Sequence, residues 1–169
     1  MSIYLSLICS FLFPFLFIFM ISLTNIILFK KKFEVVLPFS IMISILTTYI
    51  LGFINLRLGF YFCILIALSS VPLLLKSIKI NEVKNIYQLC FTDYFWIFCI
   101  FYSIIFILNI QKPFDRWDEY SHWGVMVKEM FRMDKYYYLE ECSLMRHKDY
   151  PPFTTILEYL WCRLCGNYK

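Results

Sequence analysis

The sequence predicts an all-α, polytopic membrane protein, and three observations favour this fold class. Long uncharged apolar runs fill residues 1–111. Of the 28 Asp, Glu, Lys and Arg residues, 11 lie within residues 1–112 and 17 within the last 57. The chain is 61% hydrophobic and 21% aromatic, with a mean hydropathy of +0.68, and a soluble domain of 169 residues could not bury so much apolar surface. We therefore expect an embedded front part followed by a part that meets water or headgroups.

Four apolar runs approach the roughly 20 helical residues that cross a bilayer core of about 30 Å. The first is not a convincing signal peptide, because it lacks a preceding basic segment and a small-residue cleavage site, and three lysines follow it. We interpret it as a retained helix with Pro14 as its candidate kink. The four predicted transmembrane helices are residues 3–29, 35–56, 58–75 and 94–111.

Lysines between these runs predict the orientation. The turn between the second and third runs holds only Arg57, whereas six lysines lie in the two other connections. The positive-inside rule places the lysine connections in the cytoplasm. A multi-pass cell-membrane protein with its N-terminus outside is therefore expected, and the net charge of +4 does not indicate nucleic-acid binding. The six lysines are Lys30, Lys31 and Lys32 in the first connection, and Lys76, Lys79 and Lys84 in the other.

The polar part of the chain follows the fourth run. Residues 1–111 form the predicted four-span region, residues 112–152 an extracytoplasmic loop, and residues 153–169 the start of a further, truncated membrane helix. Within the loop, residues 121–135 predict an amphipathic juxtamembrane helix suited to the membrane surface, and Tyr136, Tyr137 and Tyr138 suit the interfacial belt. Its apolar positions are Trp123, Val127, Met130 and Phe131, with Lys128, Glu129, Arg132 and Asp134 mostly elsewhere.

The seven cysteines predict neither a disulfide framework nor a zinc site. Four of them lie in or beside apolar runs, and Cys142 stands alone in the polar part. Cys162 and Cys165 form a C-x-x-C without a second pair, which is weak evidence for zinc. We interpret them as small apolar residues on a helix.

A first cluster of ionisable residues reads F-D-R-W-D-E-Y-S-H-W-G at residues 114–124. Charged and aromatic residues commonly flank a span, so a solvated boundary is one interpretation. The order favours another, because Asp118 and Glu119 lie between two tryptophans and His122 follows Asp118 by one helical turn. A carboxylate against aromatic walls near a low-dielectric boundary loses hydration, which raises its proton affinity. Asp118 is therefore a candidate general base.

A second cluster reads R-H-K-D-Y-P-P at residues 146–152. Cationic groups before a rigid Pro-Pro can offer fixed positive charge to a phosphate. The alternative is a solvated loop whose prolines simply precede a helix. Two such clusters on one predicted face, joined by an interfacial helix, favour a site more than either does alone.

These residues carry a resemblance to a known family. W-D-E-Y-S-H-W-G at residues 117–124, the helix through Lys128 and Met130, and H-K-D-Y-P-P at residues 147–152 resemble the lipid-carrier-dependent glycosyltransferases of the GT-C superfamily. The nearest likeness is to the bacterial branch related to protein O-mannosyltransferases and aminoarabinose transferases. The resemblance covers residues 115–159 and implies a polyprenyl-phosphate-linked sugar donor and a glycan, lipid or protein acceptor.

The resemblance also implies roles for particular residues. Asp118 would be the general base that takes the proton of the acceptor hydroxyl, with Glu119 as assistant or substitute. Cations of the second cluster would stabilise the leaving phosphate, and a single displacement implies inversion at the anomeric carbon. The implied substrate-binding residues are Arg116, His122, Arg146, His147, Lys148 and Tyr150. No cofactor is predicted; a divalent metal could find ligands in Asp118, Glu119 and His122, but their spacing does not require one.

Three classes of function remain open from the sequence. Members of the family have more spans than this chain, so we expect the N-terminal part of a longer enzyme, inactive alone. A small non-catalytic subunit or scaffold of envelope glycan assembly accounts for the length but not for the ordered clusters. A transporter or channel subunit is ranked last, because the spans contain almost no ionisable residue and Asp93 lies at the edge of the fourth.

Overall fold

The computed structural model describes residues 3–109, 123–138 and 150–166, and these residues contain helices and no strand. The predicted all-α class is thereby confirmed for the described part of the chain. The helices are α1 (Ile3–Phe29), α2 (Phe33–Gly52), α3 (Leu56–Leu68), α4 (Ser70–Lys79), α5 (Val83–Cys90), α6 (Asp93–Asn109), α7 (Gly124–Met133) and α8 (Phe153–Cys165).

Three stretches are long and apolar enough to cross a membrane: Leu7–Phe29, Phe33–Gly52 and Leu56–Lys79. The third joins α3 and α4. Val83–Cys90 and Asp93–Leu108 pass the same test only as a pair, and they are bent by 51°. The described chain therefore has three candidate spans, or four if the bent pair is one span. This agrees with the predicted multi-pass architecture. The predicted fourth span is a candidate only if the two bent helices cross the membrane together.

The turn between α2 and α3 has an identifiable local cause. The N–H groups of Ile54 and Asn55 both donate to the Leu51 carbonyl, which closes the end of α2. The Asn55 side chain then accepts the N–H of Arg57 at 2.8 Å, and this satisfies one of the free donors at the start of α3. The turn therefore needs only a few residues, and it presents Arg57 at its end.

The described residues pack as two compact units: Met1–Ser44 with Cys63–Ile110, and Ile45–Phe62 with Gln111–Lys169. The first unit has an apolar core to which α1, α2, α5 and α6 contribute. Its buried members are Ile26, Ile27, Phe33, Val36, Ile86, Cys90 and Phe95.

Small polar side chains join helices within the first unit. The Asn25 amide donates to the Ser40 hydroxyl at 3.0 Å, and the Thr24 hydroxyl donates to the Ile66 carbonyl at 3.0 Å. Such small hydroxyl and amide groups allow close approach of apolar helices and satisfy one another where water is absent. They account for Thr24 and Asn25 in the apolar run of α1 and for Ser40 in that of α2.

Candidate functional site

The structure describes one of the predicted site residues, Tyr150. The others lie outside the described residues: Arg116, Asp118, Glu119, His122, Arg146, His147 and Lys148. The described residues of both clusters belong to the second unit.

Tyr150 contacts Trp123, the tenth residue of the first cluster. The rings of Trp123 and Tyr150 have centroids 5.4 Å apart and are tilted by 36°, within the range of favourable aromatic pairs. The Tyr137 hydroxyl donates a hydrogen bond to the Tyr150 carbonyl. Tyr150 is therefore fixed by both its ring and its backbone, next to the first turn of α7.

The carboxylate of Asp134 lies at the centre of an ion cluster at the end of α7. Arg57 contacts Oδ2 at 2.7 Å, and Arg163 contacts Oδ1. The Tyr159 hydroxyl donates to Oδ1 at 2.8 Å. Asp134 is only 8% exposed, and a buried carboxylate needs such charged and hydrogen-bonding partners to offset its lost hydration.

The backbone of Asp134 takes part in the same cluster. Its φ of 54° lies in the left-handed region, which Asp and Asn tolerate better than most residues. Its N–H donates to the Met130 carbonyl and closes α7, and its carbonyl accepts the N–H of Leu56 at 2.9 Å. Asp134 thus connects the α2–α3 turn, the end of α7 and α8.

Arg163 reinforces this connection from α8. Its guanidinium donates to the Phe131 carbonyl at 2.6 Å and lies 4.1 Å from the centre of the Phe131 ring, a cation–π distance. It also donates to the Tyr159 hydroxyl at 3.3 Å. The interactions of Arg163 therefore hold α8 against α7 through polar as well as apolar contacts.

The predicted amphipathic helix corresponds to α7, but two of its acidic residues are not solvated. Glu129 is 4% exposed and Asp134 is 8% exposed. Glu129 pairs with Arg132 at 2.7 Å, one helical turn away. Each of these carboxylates is therefore buried against a guanidinium partner within the second unit, Arg132 for Glu129 and Arg163 for Asp134.

The tyrosines after α7 also pack inside the second unit. Tyr136 and Tyr137 are buried, and the Tyr136 hydroxyl donates to the Tyr49 carbonyl and lies against Gly52, where an added Cβ would come within 2.5 Å of it. Burial raises the pKa of the Tyr136 hydroxyl, and the neighbouring Tyr138 and Tyr49 raise it further. Tyr136 and Tyr137 therefore pack within the second unit, and their predicted place in the interfacial belt stays a prediction.

Two isolated charges in the sequence are a signal from which partners such as those in the Asp134 cluster could be predicted. Arg57 is a lone charge in a turn between two apolar runs, and Arg163 is a lone cation within an apolar helix. Charges in such places usually have partners. Which carboxylate they share depends on tertiary contacts, which spacing along the chain does not encode.

Within residues 3–109, 123–138 and 150–166, no group of three or more His, Cys, Asp and Glu side chains could hold a metal ion. The residues considered as metal ligands from the sequence, Asp118, Glu119 and His122, lie outside these ranges.

The described residues form helices that include three to four candidate membrane spans. In the second unit, the buried ion pair between Asp134 and Arg163 joins the end of α7 to α8. In comparisons with known proteins, the chain matches no family model, no curated protein and no solved structure. Its function is therefore inferred from its own residues.

Proposed function

We propose that the chain is part of a membrane glycosyltransferase that moves a sugar from a polyprenyl-phosphate carrier to an extracytoplasmic acceptor, with inversion and with Asp118 as general base. The observation that carries this proposal is the contact between Trp123 and Tyr150. His122 is bonded to Trp123 and Asp149 to Tyr150. The contact therefore joins Trp123 of the first cluster to Tyr150 of the second cluster.

The proposed reaction needs both clusters at one place. An acceptor hydroxyl becomes a good nucleophile when a carboxylate takes its proton, and the departing phosphate needs positive charge. Bringing the two groups together supplies much of the rate enhancement, because it replaces a chance encounter by a fixed geometry. Asp118 and Glu119 provide the acidic side, and Arg146, His147 and Lys148 the basic side.

Two ion pairs support the proposed orientation. Arg57 pairs with Asp134, so the α2–α3 turn and the end of α7 belong to the same side. Lys30 pairs with Glu82, so the two lysine-bearing connections also share a side. This grouping agrees with the lysine distribution, which assigns the lysine connections to the cytoplasm and residues 112–152 to the outside.

Asp118→Asn tests the proposed base, because the amide keeps the shape of the side chain and cannot accept the acceptor's proton. We expect transfer from the carrier to fall by about 10²- to 10⁴-fold, the usual contribution of a general base. Membranes containing the full natural protein are supplied with a radiolabelled sugar. The label is then followed from the polyprenyl-phosphate fraction to other products.

Glu141→Gln is the matched control, since it removes a carboxylate of the same polar segment that has no role in the proposed reaction. It should leave transfer unchanged. Equal transfer by wild-type protein and Asp118→Asn, at equal protein levels, would contradict the proposal.

A non-catalytic subunit of envelope glycan assembly is the second candidate, and the Asp134 cluster favours it. Asp134, Arg163 and Tyr159 satisfy one another inside the second unit, which is what a rigid binding module requires. A scaffold of this kind tolerates Asp118→Asn and loses its partners when Asp134→Asn loosens the unit. Asp118→Asn therefore distinguishes the candidates, since only the enzyme loses its function with this substitution.

A further inference from the structure

A polar cleft lies in the first unit. Its volume is about 550 Å³. Its walls come from the connection between α1 and α2 on one side and from the start and outer face of α5 on the other. The lining residues are Lys30, Lys32, Glu82, Asn85, Gln88 and Leu89.

The cleft wall that carries Lys30 and Lys32 is held by backbone hydrogen bonds at the end of α1 and the start of α2. Lys30 closes α1 by donating its N–H to the Ile26 carbonyl at 2.8 Å, and its φ of 53° lies in the left-handed region. The Lys32 carbonyl accepts the N–H groups of Val35 and Val36 as α2 begins. Because Phe33 is 1% exposed and belongs to the apolar core, the two lysines project from an anchored segment.

The opposite wall is an anchored face of α5. Ile86 and Cys90 are buried in the same core as Phe33. Asn85, Gln88 and Leu89 are spaced as i, i+3 and i+4, so they share one stripe of the helix, and that stripe lines the cleft. The two walls therefore keep their separation through one shared core.

The charges of the cleft favour an anion. Lys30 pairs with Glu82, which neutralises both. In the part of the chain that the structure describes, no carboxylate pairs with Lys32. The cleft thus carries a net charge of +1, and the side-chain amides of Asn85 and Gln88 add neutral donors. One positive charge with amide donors matches a phosphodiester, which has one negative charge and several acceptor oxygens.

The surroundings of the cleft favour a lipid as the source of this group. Phe29 is 51% exposed and Ile80 54% exposed, and Val83 at the start of α5 is also exposed. These apolar side chains are neighbours in the chain of the cleft residues Lys30 and Glu82. Basic pockets beside membrane helices bind anionic headgroups while the acyl chains stay in the apolar phase.

We propose that this cleft binds the phosphodiester headgroup of an anionic phospholipid. The site is independent of the proposed glycosyl transfer, since it shares no residue with the Asp118 and Arg146 clusters. Lys32 supplies the charge, the Lys30–Glu82 pair joins the two walls, and the α5 amides supply further hydrogen bonds.

Lipid retention by the full chain tests the site. The protein is purified in mixed micelles of phosphatidylglycerol and phosphatidylcholine, and the lipid carried through purification is measured by native mass spectrometry. Wild-type protein should retain phosphatidylglycerol preferentially. Lys32→Gln should lower the preference about fivefold, as expected for one lysine at a membrane surface, and Lys32→Arg should preserve it.

Two further variants make the test specific. Glu82→Gln removes the negative charge that neutralises Lys30, so it should raise the preference about fivefold. Lys79→Gln removes a lysine that is exposed but does not line the cleft, so it should change nothing. Circular dichroism at 222 nm checks that each variant is folded.

Three results would overturn the proposal. Equal losses of phosphatidylglycerol preference with Lys32→Gln and Lys79→Gln would mean that the lysines of both connections attract the lipid diffusely. A lower preference with folded Glu82→Gln would contradict the charge assignment. Displacement of the lipid by millimolar inorganic phosphate or glycerophosphoglycerol would assign the cleft to a soluble phosphate in place of a lipid.

Discussion

The carboxylate of Asp134 contacts two arginines that differ greatly in exposure. The Arg163 side chain is 14% exposed, whereas the Arg57 side chain is 49% exposed. Water screens the Arg57 pair, and such half-exposed pairs contribute at most about 1 kcal/mol. Removing one partner of a buried pair leaves an uncompensated charge and costs about 3–5 kcal/mol. The stabilising part of the cluster is therefore the contact between Asp134 and Arg163.

Asp134→Asn should lower the free energy of unfolding by about 3–5 kcal/mol, because Arg163 then lies buried without its counter-charge. Asn tolerates the left-handed backbone of this position as Asp does, so the substitution changes the charge and leaves the backbone preference nearly unchanged. Thermal melting in detergent, followed by circular dichroism at 222 nm, measures the loss. Arg57→Gln is the control within the same cluster and should cost no more than about 1 kcal/mol. Equal losses of unfolding free energy in Asp134→Asn and Arg57→Gln would contradict the conclusion that the Arg163 pair stabilises the protein more than the Arg57 pair does.

At the scale of elements, α2 and α3 pack closely where their ends meet. A Cβ added at Gly59 would lie 2.7 Å from the Cα of Thr48, a distance that real Cβ atoms do not show. Because the nearest atom belongs to the backbone of α2, a rotamer change cannot relieve the clash. Gly59 is therefore the residue that sets the spacing of the two helices beside the Arg57 turn.

Gly59→Ala should destabilise the protein even though alanine favours helix. The gain in helix propensity is up to about 1 kcal/mol, and the overpacking penalty is about 1–3 kcal/mol, so a net loss is expected. Leu65→Ala on the exposed face of α3 is the control, since it truncates a side chain outside the core. Melting temperatures in the same detergent compare the two. A higher melting temperature for Gly59→Ala than for the wild type would show that the helices separate freely.

The helices could be predicted from the sequence to the extent that they depend on residues close together in the chain. Apolar runs predicted the helices well, because hydropathy is a local property. The observed helix ends differ from the predicted ones where charged residues belong to the helix. The third run was predicted as residues 58–75, and Leu56–Lys79 is observed. Lys76 and Lys79 extend α4, since lysine side chains reach water along their apolar stems while the backbone stays helical.

The candidate site was predictable only as two clusters. The contact between Trp123 and Tyr150 and the shared partner of Arg57 and Arg163 are tertiary, so no spacing along the chain indicates them. The burial of Glu129 also depends on tertiary contacts, so the sequence does not indicate it. Helical periodicity assigns a residue to a face of its helix, whereas the neighbouring elements decide whether that face meets solvent.

At the scale of the whole molecule, the proposed function requires above all that residues 112–152 lie on the opposite side of the membrane from the lysine connections. A carrier-linked sugar and an extracytoplasmic acceptor meet only on that side. Lys128 on α7 and Lys79 at the end of α4 are both exposed, so each can be replaced by a reporter cysteine without disturbing a core.

Labelling of Lys128→Cys and Lys79→Cys by a membrane-impermeant maleimide is the most direct measurement. Both variants are made in a chain whose seven native cysteines are replaced by serine, and intact cells are compared with permeabilised cells. We expect Lys128→Cys to react in intact cells, and Lys79→Cys to react only after permeabilisation. Labelling of Lys79→Cys in intact cells, with Lys128→Cys protected until permeabilisation, would contradict the orientation and with it the proposed glycosyl transfer.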